Sequence, residues 1–200
     1  MIVADRITKA FGPDPLWSEL SFTVEQGEML ALTGPSGAGK STLLNCLGLL
    51  ERVDSGTIRV GDQTITNLRA GGQRRFRSDT LGYLFQNYAL IENATVDANL
   101  AIAGRREAFA PALQAVGLAG RGQDPVYRLS GGEQQRLAVA RLLVKKPTVV
   151  LADEPTAALD TDNTDLVLTL LRRLAEDGCA VVIATHSKEV EGHCDNTLTL

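Results

Sequence analysis

Gly34-Pro35-Ser36-Gly37-Ala38-Gly39-Lys40-Ser41-Thr42 fills the pattern G-x-x-x-x-G-K-[ST] at every fixed position. Met29-Leu30-Ala31-Leu32-Thr33, just before it, reads as a short buried strand. After it, Leu43, Leu44, Leu47 and Leu50 recur at helical spacing, which predicts a helix beginning near Gly39. A strand, a glycine-rich turn and a helix N-terminus together make an anion site. Backbone N–H groups without intrahelical partners converge there, and the helix dipole adds partial positive charge. The glycines let the backbone approach phosphate oxygens where a Cβ would intrude. Lys40 is then placed to reach β- and γ-phosphates, and the Ser41 hydroxyl to ligate Mg²⁺. The stretch predicts a nucleotide-phosphate site.

Upstream of it, residues 2 to 8 and 20 to 24 read as strands joined through Gly12-Pro13-Asp14-Pro15, and Gln26-Gly27 turns into the strand that feeds the loop. Phe11 lies in this region as either an adenine-stacking aromatic or an ordinary core or edge aromatic, and Trp17 reads as packing. Downstream, Asp54-Ser55-Gly56 makes a turn, and Thr57–Val60 with Gln63–Thr66 predict a hairpin around Gly61-Asp62. The basic stretch from Arg69 to Arg77 reads as a solvated helix face rather than as a lipid or nucleic-acid contact.

Thr80–Phe85 predicts a buried strand ending at Gln86. The pattern then turns helical, over Thr95–Ala101, Arg105–Val116 and Glu133–Lys146. Residues 87–146 are therefore expected to be a helical insertion in an α/β core made of residues 1–86 and 147–200, all within one domain. Thr148–Ala152 and Ala180–Thr185 are β-branched, apolar strands. Between them a helix carries Val167, Leu170, Leu171 and Leu174 on one face, with Asp162 and Asp165 expected in its first turn, where negative charge favours the dipole. A last strand is expected over Thr197–Leu200. Strands alternating with helices predict a mostly parallel sheet, and ligands on such sheets bind at the carboxyl edge.

Composition limits the function classes. Of 200 residues, 44% are hydrophobic and 22% charged, which fits a globular chain rather than a disordered one. A net charge of −4 argues against a nucleic-acid partner. Cys46, Cys179 and Cys194 are scattered, as expected of reduced thiols. The first residues lack the apolar core of a signal peptide, and no apolar run reaches the roughly eighteen residues of a membrane span. The expected location is cytoplasmic.

Four positions fall where chemistry at that edge would need them. Asp153 ends an apolar strand and suits a Mg²⁺ shell. Its neighbour Glu154 suits acceptance of a proton from an attacking water. Gln86 carries an amide that can touch metal or water and sense a γ-phosphate. His186, at another strand end, is placed to hydrogen-bond the γ-phosphate and to hold Glu154; His193 has no such position. Leu129-Ser130-Gly131-Gly132-Glu133-Gln134-Gln135-Arg136 opens a helix on two glycines, a second anion-binding N-terminus. One nucleotide has little use for two such sites in one subunit. They make sense if two chains pair head to tail, each offering Ser130–Gly132 to the γ-phosphate its partner holds.

In this order, Gly34–Thr42, Gln86, Leu129–Arg136, Val149–Pro155, Ala158-Leu159-Asp160 and His186 resemble the ATP-binding subunits of ABC transporters, over essentially the whole chain. The resemblance implies a P-loop NTPase (RecA-like) α/β core with an N-terminal antiparallel β subdomain and an inserted α-helical subdomain. It implies an ATP sandwich dimer, of two copies or of this chain with a second nucleotide-binding domain, docked on an integral membrane permease at the inner face of the cell membrane. By that resemblance ATP and Mg²⁺ are the cofactors. The ATP-binding set is Phe11, Gly34, Pro35, Ser36, Gly37, Ala38, Gly39, Lys40, Ser41, Thr42, Ser130, Gly131, Gly132, Glu133 and Asp160. Phe11 becomes the adenine-stacking aromatic, and Asp160 a loop contact across the dimer. Glu154, His186 and Gln86 carry catalysis, with Glu154 as general base, and Ser41, Gln86 and Asp153 hold the metal. Two features depart from the family pattern: Ala157 stands where Ser or Gly is common, and no C-terminal regulatory domain is expected.

Phe85–Val96 resembles the subunits of lipoprotein-release, macrolide-export and bacteriocin-export systems, which implies export or extraction of peptide, bacteriocin or lipophilic substrates. Tyr88, Leu90, Ile91 and Val96 offer apolar side chains just after Gln86, and some of them are expected to be exposed and to form the groove for a short helix of the membrane partner. The competing readings are a mechanical signalling ATPase acting on a membrane partner, and a soluble ATPase of DNA repair or translation. The coiled-coil insertion or basic linker typical of the soluble class is absent.

Overall fold

The computed structural model describes residues 1–157 and 159–200; Ala158, part of the Ala158-Leu159-Asp160 string, lies outside the described residues. An antiparallel sheet comes first. Its strands are β1 (Ile2–Ala10), β2 (Pro15–Val24), β4 (Ser55–Val60) and β5 (Gln63–Thr64), in the order β2-β1-β4-β5. Strand β2 begins five residues earlier than its sequence suggests. Lys9 pairs with Trp17 and Ala10 with Pro15, so tertiary pairing with β1 recruits a proline-led segment too short to show alternation alone.

The second sheet is parallel. It comprises β3 (Met29–Thr33), β6 (Leu81–Leu84), β7 (Val149–Asp153), β8 (Ala180–Ala184) and β9 (Asn196–Thr199), in the order β6-β7-β8-β3-β9. Its central strands read as continuous apolar runs because both faces are covered. Leu30, Leu32, Val149, Leu151, Ala180 and Val182 face one core, shared with the antiparallel sheet and α1 (Lys40–Leu47). Met29, Val150, Ala152, Val181 and Ile183 face the other, shared with α6 (Thr161–Glu176). Val167, Leu168, Leu170, Leu171 and Leu174 of α6 are buried there. Truncating one of them, such as Leu171→Ala, costs about 2–5 kcal/mol by cavity formation.

Helix α2 (Ala70–Asp79) carries the basic stretch and buries only Phe76. Between β6 and β7 lie α3 (Val96–Ala101), α4 (Phe109–Ala115) and α5 (Gly131–Lys145), and α7 (Lys188–Gly192) follows β8. The single helix expected over Arg105–Val116 is instead a 3₁₀ turn at Arg106–Ala108 followed by α4. Pro111, which has no N–H to donate, is tolerated because it falls in the first turn of α4. Two helix ends also differ from the sequence pattern. Helix α1 stops at Gly48, whose N–H bonds Leu44 O, which leaves Leu50 outside it and half exposed. Asp162 lies in the first turn of α6, whereas Asp165 lies beyond it.

Candidate functional site

The order β6-β7-β8-β3 decides the site. Four carboxyl ends stand side by side, at about 4.8 Å spacing between strands, and each carries one of the singled-out groups. These are Gln86 after β6, Asp153 at the end of β7 with Glu154 after it, His186 after β8, and the glycine loop after β3. A cleft of about 520 Å³ opens over them, lined by Ser36, Gly37, Gly39, Lys40, Ser41 and Thr42 on one side. Gln86, Asp153, Glu154 and His186 close the other, and Phe11, Leu16 and Ala157 form the rim. Gly34, Pro35 and Ala38 shape the loop from behind and do not line the cleft.

The loop is glycine-dependent at two places. Gly34 has φ +138°, and a Cβ there would stand 2.8 Å from Leu200 O. Gly39, at φ +92°, is the N-cap of α1, and a Cβ there would meet the indole Nε1 of Trp17 at 2.9 Å. Trp17 therefore walls the back of the loop, which sequence reading had given to packing alone. Helix α1 starts with no side-chain cap, so its first N–H groups remain directed at the cleft. The Lys40 ammonium folds back onto the loop, donating to Gly34 O at 2.8 Å and Pro35 O at 3.1 Å.

Across the cleft, burial pushes the Asp153 carboxyl above the ordinary carboxylate range, with the charge of Glu154 adding to it. A hydrogen bond from Ser41 and the charge of Lys40 pull the other way. Glu154 holds φ +49°, a left-handed backbone that a non-glycine residue adopts only when its surroundings enforce it; its N–H bonds Ala184 O at 2.9 Å. Its Oε1 lies 2.8 Å from His186 Nδ1, with the carboxylate side chain only 16% exposed and the imidazole 73%. The base candidate is thus largely shielded and aimed, and its histidine partner faces the open cleft.

Ser130, Gly131, Gly132, Glu133 and Asp160 do not line this cleft. Ser130 caps α5: its Oγ accepts from Glu133 N at 3.3 Å, and Glu133 Oε2 accepts from Ser130 N at 2.8 Å. Glu133 also accepts from Arg121 Nη1 at 2.7 Å. Its carboxylate is used inside its own chain, holding the glycine turn rather than meeting an anion. Asp160 caps α6 by accepting from Asn163 N at 2.9 Å. Asn163 also accepts from Arg136, and the Gln135 amide donates to Pro155 O. The second glycine-led helix is therefore tied to the segment that follows Glu154.

Sequence reading missed Leu16 and the wall made by Trp17. Their signal is the alternation of outward Leu16 and buried Trp17 along β2, visible once the strand is known to start at Pro15. A separate groove of about 350 Å³ is lined by Leu50, Tyr83, Phe85, Ala89, Ile102 and Leu142, with Arg77, Arg141 and Lys145 at its edges. It differs from the groove expected over Tyr88–Val96. Val96 is fully buried, and Tyr88 and Leu90 pack partly against the helical core. Ile91 is exposed. The helix α3 that begins at Val96 needs that valine for its own packing.

A glycine loop on a parallel sheet, a half-buried strand-end carboxylate and a positioned glutamate define a P-loop nucleoside triphosphatase. The family model for ABC transporters matches residues 17–157, and the chain belongs to that family as one of its ATP-binding, ATP-hydrolysing domains. It is 39% identical to the lipoprotein-releasing system ATP-binding protein LolD 2 of Rhodospirillum rubrum, over 100% of this chain and 93% of that one. It is 37% identical to the arginine transport ATP-binding protein ArtM of Bacillus subtilis, over 93% and 81%. The fold matches the dimeric post-hydrolysis structure of the ATP-binding cassette MJ0796 bound to ADP and phosphate. The TM-score is 0.90 at 30% identity, covering 100% of this chain and 94% of that one.

Proposed function

We propose that this chain is the ATPase subunit of a membrane export or extraction complex, working on peptide, bacteriocin or lipophilic substrates. It pairs with a second copy or a second nucleotide-binding domain, and sits on the inner face of the membrane against an integral permease. Among the described residues no helix is long and apolar enough to cross a membrane. The groove between Tyr83, Phe85, Ile102 and Leu142, edged by Arg77, Arg141 and Lys145, is the docking surface for the permease. Export rather than import rests on the wording of residues 85–96, since relatives of both kinds share this level of identity.

The contact that carries the reading is His186 Nδ1 to Glu154 Oε1, in a cleft whose other wall is an uncapped helix start. In this reading the N–H groups of residues 36–42 and Lys40 cradle the phosphates, and Phe11 stacks on adenine. Glu154 takes the proton of the attacking water, and His186 holds that carboxylate and touches the γ-phosphate. Ser130, Gly131, Gly132 and Asp160 serve the partner's nucleotide, with Glu133 fixing the turn that presents them. Residues 87–146 form the helical subdomain.

The donors also fit Mg²⁺. Ser41, Gln86 and Asp153 can each present an oxygen ligand, and a hydrogen bond already joins Ser41 to the Asp153 carboxyl. When bound, the ion neutralises charge developing on the phosphates.

Glu154→Gln tests the assignment. ATP binding should persist while hydrolysis falls by about a hundredfold or more, and an ATP-dependent dimer should accumulate on a sizing column. Normal turnover would place the base elsewhere. Purification from solubilised native membranes should bring a polytopic protein in stoichiometric amount; recovery with ribosomes, DNA or alone would favour a soluble ATPase.

A further inference from the structure

Lys9 is 6% exposed, the most hidden lysine of the chain, yet it lies next to the solvent-facing Phe11. Its ammonium donates to Glu51 Oε1 at 2.9 Å and to the Arg52 carbonyl at 2.8 Å, with Asp54 Oδ1 at 3.6 Å. Two of its three donors are spent there. The same ammonium stands over the Phe11 ring, 4.8 Å from its centroid, well within cation–π reach. Asp54 reinforces the arrangement, because its Oδ2 accepts from Ala10 N at 2.8 Å and its N–H bonds Thr8 O at 2.8 Å. Residues 8–11 are thereby fastened to the loop 51–54, which leaves the C-terminal end of α1. The N-terminal end of that helix forms the phosphate site.

We propose that Lys9 is a positioning residue for recognition of the nucleotide base. It backs one face of Phe11, leaves the other face for the purine, and fixes the height of that ring relative to the phosphate loop through the loop that follows α1. A cation on the rear face also withdraws π-density from the ring, so the free face accepts an electron-rich purine more readily than a bare phenyl would. The hydrogen bond to Glu51 raises the Lys9 pKa above the ordinary lysine value, with the nearby Asp54 adding to it against burial, so the ammonium stays charged at neutral pH. Among the described residues Lys9 makes no hydrogen bond or ion pair with the phosphate loop or with Glu154 and His186. Its influence falls on the base, not on the phosphates.

The inference rests on Phe11 being the adenine platform, and the test separates the two ideas. ADP and inorganic pyrophosphate are titrated calorimetrically, in magnesium buffer, into the wild-type chain, Lys9→Met, Lys9→Arg, Phe11→Ala and the Lys9→Met/Phe11→Ala double variant. Lys9→Met should weaken ADP roughly three- to tenfold while leaving pyrophosphate unchanged. Lys9→Arg should retain most of the wild-type preference, and the double variant should be no weaker than Phe11→Ala alone. If Phe11→Ala leaves ADP affinity intact, the platform reading fails and Lys9 goes with it. If Phe11→Ala is selective for ADP but Lys9→Met is silent, or weakens both ligands equally, the platform stands and the role of Lys9 is overturned. A measurement independent of how Lys9→Met folds is side-chain NMR of the wild-type protein. The Lys9 ε-methylene protons should be shifted upfield by the Phe11 ring current, and the shift should vanish in Phe11→Leu. No such shift in the wild-type protein would refute the contact itself.

Discussion

Two helices of this chain begin on glycine-rich turns, and their N-termini are built in opposite ways. Helix α1 starts at a left-handed Gly39 with no side-chain cap, leaving its first N–H groups free over the cleft. Helix α5 starts at Ser130 inside a complete capping box, with Glu133 further held by Arg121. An uncapped start costs stability until an anion arrives; a capped start is stable alone. The first therefore suits a site that binds phosphate within its own chain, and the second a preformed surface offered to a neighbour. Both contain glycine for close approach, so glycine content by itself does not distinguish them. The residue at the cap does.

The comparison can be broken most sharply at Lys40. Among the described residues the Lys40 ammonium hydrogen-bonds the Gly34 and Pro35 carbonyls alone, so Lys40→Ala should leave the melting temperature nearly unchanged. Nucleotide affinity should fall by about a hundredfold or more, as expected from losing a charge-assisted phosphate contact in a dehydrated site. Calorimetric titration alongside thermal melting checks both halves, and a variant that binds ATP normally would remove α1 from the phosphate role.

The complementary change is Glu133→Ala. It removes the reciprocal half of the capping box and the Arg121 pair, and should destabilise the fold by about 1–2 kcal/mol. Binding of one nucleotide to the isolated chain should stay as in the wild type. Urea melts and titration separate these readouts; a loss of monomer binding would mean that the two helix starts are not independent.

The smallest effect is its pH dependence. The Ser130 N–H, and then Arg121 against the opposing effect of burial, hold the Glu133 carboxyl below its ordinary value of 4.5. A depressed carboxylate contributes stability that is fully present above that ordinary value and is lost as pH falls through the folded one. The stability gap between wild type and Glu133→Gln should thus be constant near neutrality and narrow below about pH 4.5. A gap that widened on acidification would reverse the sign and exclude the cap as its source.

Much of this was legible because phosphate chemistry is local in sequence. The nine residues Gly34–Thr42 supply turn, donors, lysine and hydroxyl together, so the pattern and the site are nearly the same object. Asp153, Glu154, Gln86 and His186 could be singled out because each follows an apolar run whose end marks a sheet edge. The outer rim was harder to read. Leu16 and Trp17 lie on a strand whose first half is defined only by pairing with β1, through register shifts that no local pattern records. Which of Tyr88, Leu90, Ile91 and Val96 faces outward was not legible, because an apolar residue at a helix start reads the same whether it faces a partner or its own core; Ile91 is exposed and Val96 buried.

The sequence by itself determined the phosphate loop, the carboxylates at the end of β7, the second glycine-led helix start and the alternation of strand and helix. Each of these depends on residues close together in the chain. Only the tertiary structure decided the order β6-β7-β8-β3, which sets four strand ends beside one another, and the seating of Trp17 behind Gly39. It alone brought Lys9 under Phe11 and against Glu51 and Asp54, more than forty positions away. The physical reason is that backbone donors for an anion come from consecutive residues. A platform for a base is assembled from separate strands and loops, whose meeting is fixed by sheet pairing and the burial of both faces of the sheet.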